Sequence, residues 1–128
     1  MSNLKKRVLT DEQTNKLIEI GVPKYKATYK FEIWTAESGM VDYKYSFSIM
    51  DLLEIIPEYF EVPVNDDMME LELWMEFSNG YWDVGHSTLH EVYYPYCVTE
   101  RNVELIDALY NLILQHVKLG HFKYFNTF

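Results

Sequence analysis

Residues 69–84 read Met69-Glu70-Leu71-Glu72-Leu73-Trp74-Met75-Glu76-Phe77-Ser78-Asn79-Gly80-Tyr81-Trp82-Asp83-Val84, and this stretch decides the fold. Apolar residues alternate with mostly acidic ones as far as Phe77, which is typical of a strand with one buried face. Asn79-Gly80 predicts a type I′ turn, because both residues accept a positive φ. The turn fixes the hairpin register and places Phe77 opposite Trp82, Met75 opposite Val84 and Leu73 opposite His86.

The same register defines the hairpin face that points away from the core. It places Glu76 opposite Asp83 and Trp74 opposite Gly85. Like charges directly opposite each other destabilise a sheet, so we expect a lysine from a neighbouring strand, a metal or a basic partner to compensate, or else screening by solvent. The outer tryptophans either anchor a partner or are covered, and a Trp ring opposite a glycine is also a common structural pairing. The candidate partner-binding face comprises Trp34, Glu70, Glu72, Trp74, Glu76, Tyr81 and Asp83.

Upstream, a second hairpin is predicted from alternating residues in 25–35 and 41–47. Its one apolar face would carry Ala27, Tyr29, Phe31, Ile33, Val41, Tyr43, Tyr45 and Phe47. Glu58–Asp67 contains Pro63 and a polar cluster, which favours a connection over a strand. The return strand of the Asn79-Gly80 hairpin is expected to run from Tyr81 to about Tyr94.

Three helices are indicated by capping signals and apolar periodicity. Thr10 with Gln13 predicts a capping box, and Gly21 marks the end of that helix. Ser48 with Asp51 predicts a second box, with Pro57 stopping the short helix. The last helix is expected to begin at Thr99 or Asn102 and to end at Gly120. Its broad apolar face, which lies across the core, comprises Leu105, Ile106, Leu109, Leu112, Ile113 and Val117.

These elements predict a two-layer α+β fold in the order α-β-β-α-β-β-α. Two hairpins would form a mostly antiparallel four-stranded sheet with the helices on one face. The chain has 128 residues and no linker or repeat, so a single domain over 1–128 is expected. The aromatic tail from His121 to Phe128 is expected to dock on the domain.

Composition narrows the range of partners. The chain has 20 acidic and 11 basic residues and a net charge of −9, which disfavours direct binding of nucleic acid or an anionic membrane. Cys97 is the one cysteine, so no intramolecular disulfide forms. The first seven residues are not followed by an apolar run, and no stretch is long enough for a membrane span. A cytoplasmic location is therefore expected.

One group of histidine and cysteine residues could bind a metal or act as a nucleophile. His86 and His90 would share a strand face, near Asp83 and Cys97 in sequence. Zinc takes three or four such ligands, but CxxC and HExxH spacings are absent, and a buried His86 with one hydrogen bond is the simpler interpretation. Cys97 is interpreted as a buried apolar residue. Phosphate-binding glycine loops and the GxSxG nucleophile motif are also absent, so no cofactor is expected and an enzyme is not favoured.

Several segments resemble a set of small uncharacterised proteins of bacterial genomes, phages and mobile elements. They are Leu9–Gln13, Leu17–Gly21, Phe47–Pro57 and Glu104–Leu109. These matches lie mainly in the predicted helices. The resemblance implies the fold and a phage or mobile-element context, and it transfers no site residue.

Three functions follow as hypotheses. We favour a non-catalytic protein-interaction module that uses the acidic and aromatic outer face to bind a protein, with a basic partner as one option. The first alternative is an acidic decoy of a nucleic-acid-binding protein, a counter-defence function. The second is a small metal-binding protein or enzyme around His86 and His90. A homodimer that closes the face through Trp34 and Trp74 also stays open.

Overall fold

The central hairpin forms with the register that the Asn79-Gly80 turn predicts. In a computed structural model, which describes residues 6–35, 37, 39–64, 66–88 and 97–122, β4 (Asp67–Ser78) pairs antiparallel with β5 (Tyr81–Thr88). Asn79 and Gly80 have φ values of 54° and 83°, as a type I′ turn requires. The pairs Phe77–Trp82, Met75–Val84 and Leu73–His86 are all confirmed.

The remaining elements confirm the α+β fold and the predicted order of helices and hairpins. In chain order they are α1 (Asp11–Glu19), a 3₁₀ turn (Lys24–Lys26), β1 (Tyr29–Thr35), β2 (Met40–Ser46), α2 (Ile49–Ile55), β3 (Tyr59–Val64), then β4 and β5, then β6 (Cys97–Asn102) and α3 (Leu105–Lys118).

The four-stranded antiparallel sheet contains only one of the two predicted hairpins, β4-β5, with β3 and β6 added on either side of it. Its order is β3-β4-β5-β6, and β1-β2 is a separate two-stranded sheet. The interpretation of Glu58–Asp67 as a connection was wrong for Tyr59–Val64, which pairs with β4. Pro63 is tolerated because β3 lies at the sheet edge, where a strand can spare a donor. With β3 and β6, the sheet has four strands without any contribution from the β1-β2 hairpin.

The β1-β2 hairpin does not have the one apolar face that was predicted. Tyr29 pairs with Ser46 and Tyr43 with Glu32, so apolar residues of each strand share a face with polar residues of the other. The apolar residues of both strands are odd-numbered, whereas the register pairs odd with even positions. A shift of one residue exchanges the faces of a strand, so apolar residues lie on both faces of this hairpin, and Trp34 is 68% exposed.

The core lies between the inner face of the four-stranded sheet and the helices. α3 packs on β5 and β6, and α2 packs on α3. The predicted apolar face of α3 is confirmed for five fully or almost fully buried residues, namely Leu105, Ile106, Leu109, Leu112 and Ile113. Facing them across the core are Val84 and Val98.

Caps begin and end the helices largely as predicted. Both capping boxes form, at Thr10 with Gln13 and at Ser48 with Asp51. Gly21 and Gly120 follow their helices with φ values of 108° and 77°. The predicted cap of α3 was wrong for both candidates, because Thr99 and Asn102 lie in β6 and the N-cap is Glu104.

Candidate functional site

The outer face of the four-stranded sheet carries the acidic residues that the sequence singled out. Alternation along β4 points Glu70, Glu72, Trp74 and Glu76 away from the helices, because Leu71 between them is fully buried. The partners on β5 are those predicted, with Glu76 opposite Asp83 and Trp74 opposite Gly85, and Glu72 lies opposite Ser87. This face is therefore fixed by the same turn that fixes the core.

Trp74 covers the glycine opposite it. The ring lies so close to Gly85 that a Cβ at position 85 would be 3.1 Å from the Trp74 Cζ2 atom. Trp74 is half-buried. The structural pairing of Trp with Gly is thus present, and it accounts for part of the aromatic surface on this face.

The repulsion expected at Asp83 is compensated by an arginine. The Nε and Nη2 atoms of Arg101, on β6, donate to the two carboxylate oxygens of Asp83 over 2.7 and 3.0 Å. These hydrogen bonds and the opposite charge hold the pKa of Asp83 below its usual value. The guanidinium also lies 5.7 Å from the centre of the Tyr81 ring. Asp83 is therefore half of an ion pair and not a free carboxylate.

β3 adds two residues to this face that sequence reasoning missed. Tyr59 pairs with Glu72, and its hydroxyl donates to Glu72 Oε1 over 3.4 Å, while Glu61 pairs with Glu70. Negative charge from Glu72 and then Glu58 raises the pKa of Tyr59. The signal was the alternation of Tyr59, Phe60, Glu61 and Val62, which the proline next to them obscured.

We call the surface formed by Glu61, Glu70, Glu72 and Glu76 the acidic face. Among the described residues, the ion pair on this side of the sheet is Arg101 with Asp83, and none of the four glutamates has a basic partner. Glu61 and Glu70 are directly opposed on neighbouring strands. Such like-charge pairs cost free energy that a bound cation would return.

Trp34 does not belong to the acidic face. It lies on β1, in the separate two-stranded sheet, opposite Val41. Its assignment to a common face with Trp74 and Tyr81 was based on a single sheet of two hairpins, and the structure corrects it. A dimer closed through Trp34 and Trp74 on one face loses its basis for the same reason.

A second cluster, buried in the core, joins three histidines in a chain. His86 Nε2 lies 2.7 Å from the carbonyl oxygen of Pro57, and His86 Nδ1 lies 2.8 Å from His116 Nε2. His116 Nδ1 lies 2.9 Å from His121 Nδ1. Phe60 packs its ring against all three imidazoles. His86 was expected to be buried with one hydrogen bond, and it is buried with two.

The carbonyl oxygen of Pro57 determines which nitrogen of each neutral imidazole carries the proton. A carbonyl only accepts, so His86 Nε2 carries the proton and its Nδ1 accepts from His116. His116 Nδ1 then accepts from His121. Burial lowers the pKa of His116 to about 3 and also lowers the pKa values of His86 and His121. The three rings are therefore neutral at pH 7.

The structure does not bring together the residues of the predicted metal or nucleophilic site. His86 points into the core, whereas Asp83 and Cys97 lie on the outer face, opposite Arg101 and Ser87. Cys97 is exposed and not buried as expected, because β6 turns it outward. His90 lies outside the described residues. Within the described part of the chain, no group of three or more His, Cys, Asp or Glu is arranged to hold a metal.

The tail is described only as far as Phe122. That residue is 1% exposed and packs against His116 and Phe60, with ring centres 4.7 and 5.5 Å apart. The predicted docking of the tail is confirmed for this residue, and Lys123–Phe128 lies outside the described residues.

No family model, no curated protein and no solved structure matches this chain. In the described ranges, no helix combines the length and the apolar character that crossing a membrane requires.

Proposed function

We propose that this protein is an interaction module that binds a basic segment of another protein on the acidic face. The observation that supports this most is the opposed pair Glu61 and Glu70 beside Glu72, without a basic partner among the described residues. The raised pKa of Tyr59 reflects the same accumulation of negative charge. A lysine- or arginine-rich segment would relieve this repulsion on binding.

Aromatic rings flank the acidic face and supply contact area. Tyr59 and Tyr81 are 49% and 43% exposed. Rings of this kind contribute apolar contacts together with a polar group, and they also attract cations over their faces. A basic segment that lies along β4 would therefore meet the carboxylates of that strand, with Tyr59 on the β3 side and Tyr81 on the β5 side.

A fluorescence-anisotropy titration tests this proposal with a labelled peptide of alternating lysine and serine as the probe. We expect binding that weakens as salt rises, and binding several-fold weaker in the double variant Glu70→Gln/Glu72→Gln. The matched control is Glu12→Gln/Glu54→Gln, which removes the same charge from exposed positions on α1 and α2. Equal binding by the two double variants would show that only net charge matters and would overturn the proposal.

Arg101 provides a variant with the opposite expectation. Arg101→Gln removes the cation on this side of the sheet and frees Asp83. We expect the lysine peptide to bind this variant more tightly than wild type at low salt. A loss of binding would show that the arginine itself contacts the probe, contrary to the proposal.

The decoy hypothesis is a special case in which the partner is a nucleic-acid-binding protein. Glutamates on alternate positions of β4, such as Glu70 and Glu72, are spaced ~6.6–6.8 Å apart along a strand. That is about twice the spacing of phosphates along the axis of one DNA strand. Displacement of histones from labelled duplex DNA by wild type, but not by Glu70→Gln/Glu72→Gln, would favour it. If the protein binds the lysine peptide but does not displace histones from DNA, the decoy hypothesis is wrong and the more general interaction module is supported.

A further inference from the structure

The β1-β2 hairpin is a two-stranded sheet with unusually exposed aromatic and apolar residues. On β1, Tyr29, Ile33 and Trp34 are 42%, 41% and 68% exposed. Among the described residues, β1 pairs with β2 and with no other strand. Two-stranded sheets are marginally stable in water, and a free strand edge is a template for pairing with another chain.

The sequence of β1 complements itself when it is paired antiparallel about Phe31. Lys30 then lies opposite Glu32 of the second copy, and Glu32 opposite the second Lys30, so both charge pairs are attractive. On the other face, Tyr29 lies opposite the second Ile33, and the two Phe31 side chains meet on the axis. Directly opposed side chains have Cβ atoms about 4.5–5.5 Å apart, close enough for these contacts.

Neighbouring registers are less favourable. Pairing about Glu32 opposes the two glutamates, and pairing about Lys30 opposes the two lysines. Like charges in these positions destabilise a sheet. The charge pattern of β1 therefore favours the register with its twofold axis at Phe31 over the two neighbouring registers.

β2 carries a similar pattern, with Asp42 and Lys44 on either side of Tyr43, but its lysine is already engaged. Lys44 forms an ion pair with Asp11 of α1. Lys30 and Glu32 are exposed and form no ion pair within the described part of the chain. Lys30 lies over the Tyr43 ring, 3.8 Å from its centre, which holds its stem beside the strand. In contrast to Lys44, Lys30 and Glu32 are therefore not held in an ion pair with a described residue, and Lys30 exchanges its contact with the Tyr43 ring for Glu32 of the second copy when β1 strands pair.

We propose that two copies of this chain associate through antiparallel pairing of their β1 strands about Phe31. The product is a continuous β2-β1-β1-β2 sheet with twofold symmetry. Such an interface is closed, because each copy uses its one β1 edge. It lies on a different sheet from the acidic face, so it neither requires the proposed function nor depends on it.

Sedimentation equilibrium over a range of protein concentrations tests the proposal with charge reversals. We expect a dimer for wild type, and a dissociation constant raised at least about tenfold for Lys30→Glu or Glu32→Lys alone, because two attractive pairs become repulsive. The double variant Lys30→Glu/Glu32→Lys restores opposite charges and is expected to dimerise like wild type. An equimolar mixture of the two single variants is expected to form the heterodimer.

The control reverses charges of the same kind elsewhere, with Glu54→Lys on α2 and Lys118→Glu on α3, both exposed. These variants are expected to dimerise like wild type. A monomeric wild type at millimolar concentration would overturn the proposal, as would single variants that dimerise unchanged.

A cross-link locates the axis independently of charge. In a Cys97→Ser background, Phe31→Cys is expected to form a disulfide between two copies under mild oxidation, because residue 31 opposes itself. Tyr25→Cys, at a residue 77% exposed outside the strands, is expected to stay monomeric. Equal cross-linking at both positions would contradict pairing about Phe31.

Discussion

His86 on β5 and His116 on α3 are both fully buried, and a hydrogen bond of 2.8 Å joins their rings across the core. This contact ties the four-stranded sheet directly to the helix that covers it. His121 and Phe122 extend the contact to the residues after α3. A polar chain of this kind stabilises the fold only while each donor has its acceptor.

We expect the free energy of unfolding to fall as pH drops below about 6.5. The pKa of His116 is lowered from 6.5 to about 3 in the folded protein. Below 6.5 the unfolded state therefore binds more protons than the folded state, and acid favours unfolding. His116 alone accounts for a loss of about 2 kcal/mol between pH 8 and pH 5, because the slope rises towards ~1.4 kcal/mol per pH unit once the pH is below 6.5. Urea denaturation from pH 5 to pH 8 measures this dependence.

The control for that prediction is His116→Leu. This variant cannot titrate at position 116, so its stability is expected to be lower at pH 7 and to change less between pH 7 and pH 5. Asp51, whose pKa is lowered from 3.8, acts only below this window. A wild-type stability that is flat from pH 7 to pH 5 would contradict the neutral histidine chain.

The sequence predicted best where local chemistry determines the backbone. Asn79-Gly80 fixed the register of β4 and β5 because few residues accept two positive φ values, and Thr10 and Ser48 marked helix starts through their hydroxyls. The β1-β2 register was predicted wrongly, because a longer connection does not determine it and both strands were assumed to bury their apolar residues. The alternation pattern alone could not reveal that both faces of this hairpin carry exposed aromatic residues, such as Tyr29 on one face and Trp34 on the other.

Contacts between distant elements could not be predicted from the sequence. Arg101 meets Asp83 only because β6 pairs with β5, and β6 had no turn signal to place it. His116 falls four residues after Leu112 and three after Ile113, so its position on the buried face of α3 was readable. The hydrogen-bond partners of His116 could not be predicted, because they depend on where β5 and the tail cross α3.

We expect Asp51→Ala to lower the free energy of unfolding by about 2–3 kcal/mol. Asp51 is almost fully buried, and its two oxygens accept from Ser48 N, Thr28 N and Thr28 Oγ1 over 2.9, 3.0 and 2.5 Å. It thus completes a capping box and also holds the entry to β1. Chemical denaturation measures the loss, and Glu54→Ala, at an exposed position on the same helix, is expected to stay within about 0.5 kcal/mol of wild type. Equal effects would show that the carboxylate does not connect α2 to β1.

We expect Gly85→Ala to lower the free energy of unfolding by about 2–3 kcal/mol, the range for forcing extra atoms into a packed site. A Cβ at this position would lie 2.5 Å from the carbonyl oxygen of Val98, which is backbone and cannot rotate away, and 3.1 Å from the Trp74 ring. The strain would separate β5 from β6 and disturb the pairing that brings Arg101 to Asp83. Ser87→Ala, two residues along the same face, serves as the control and is expected to change stability by less than about 0.5 kcal/mol. Thermal and urea unfolding of both variants measure the difference, and a Gly85→Ala protein as stable as wild type would mean that β6 does not approach β5 this closely.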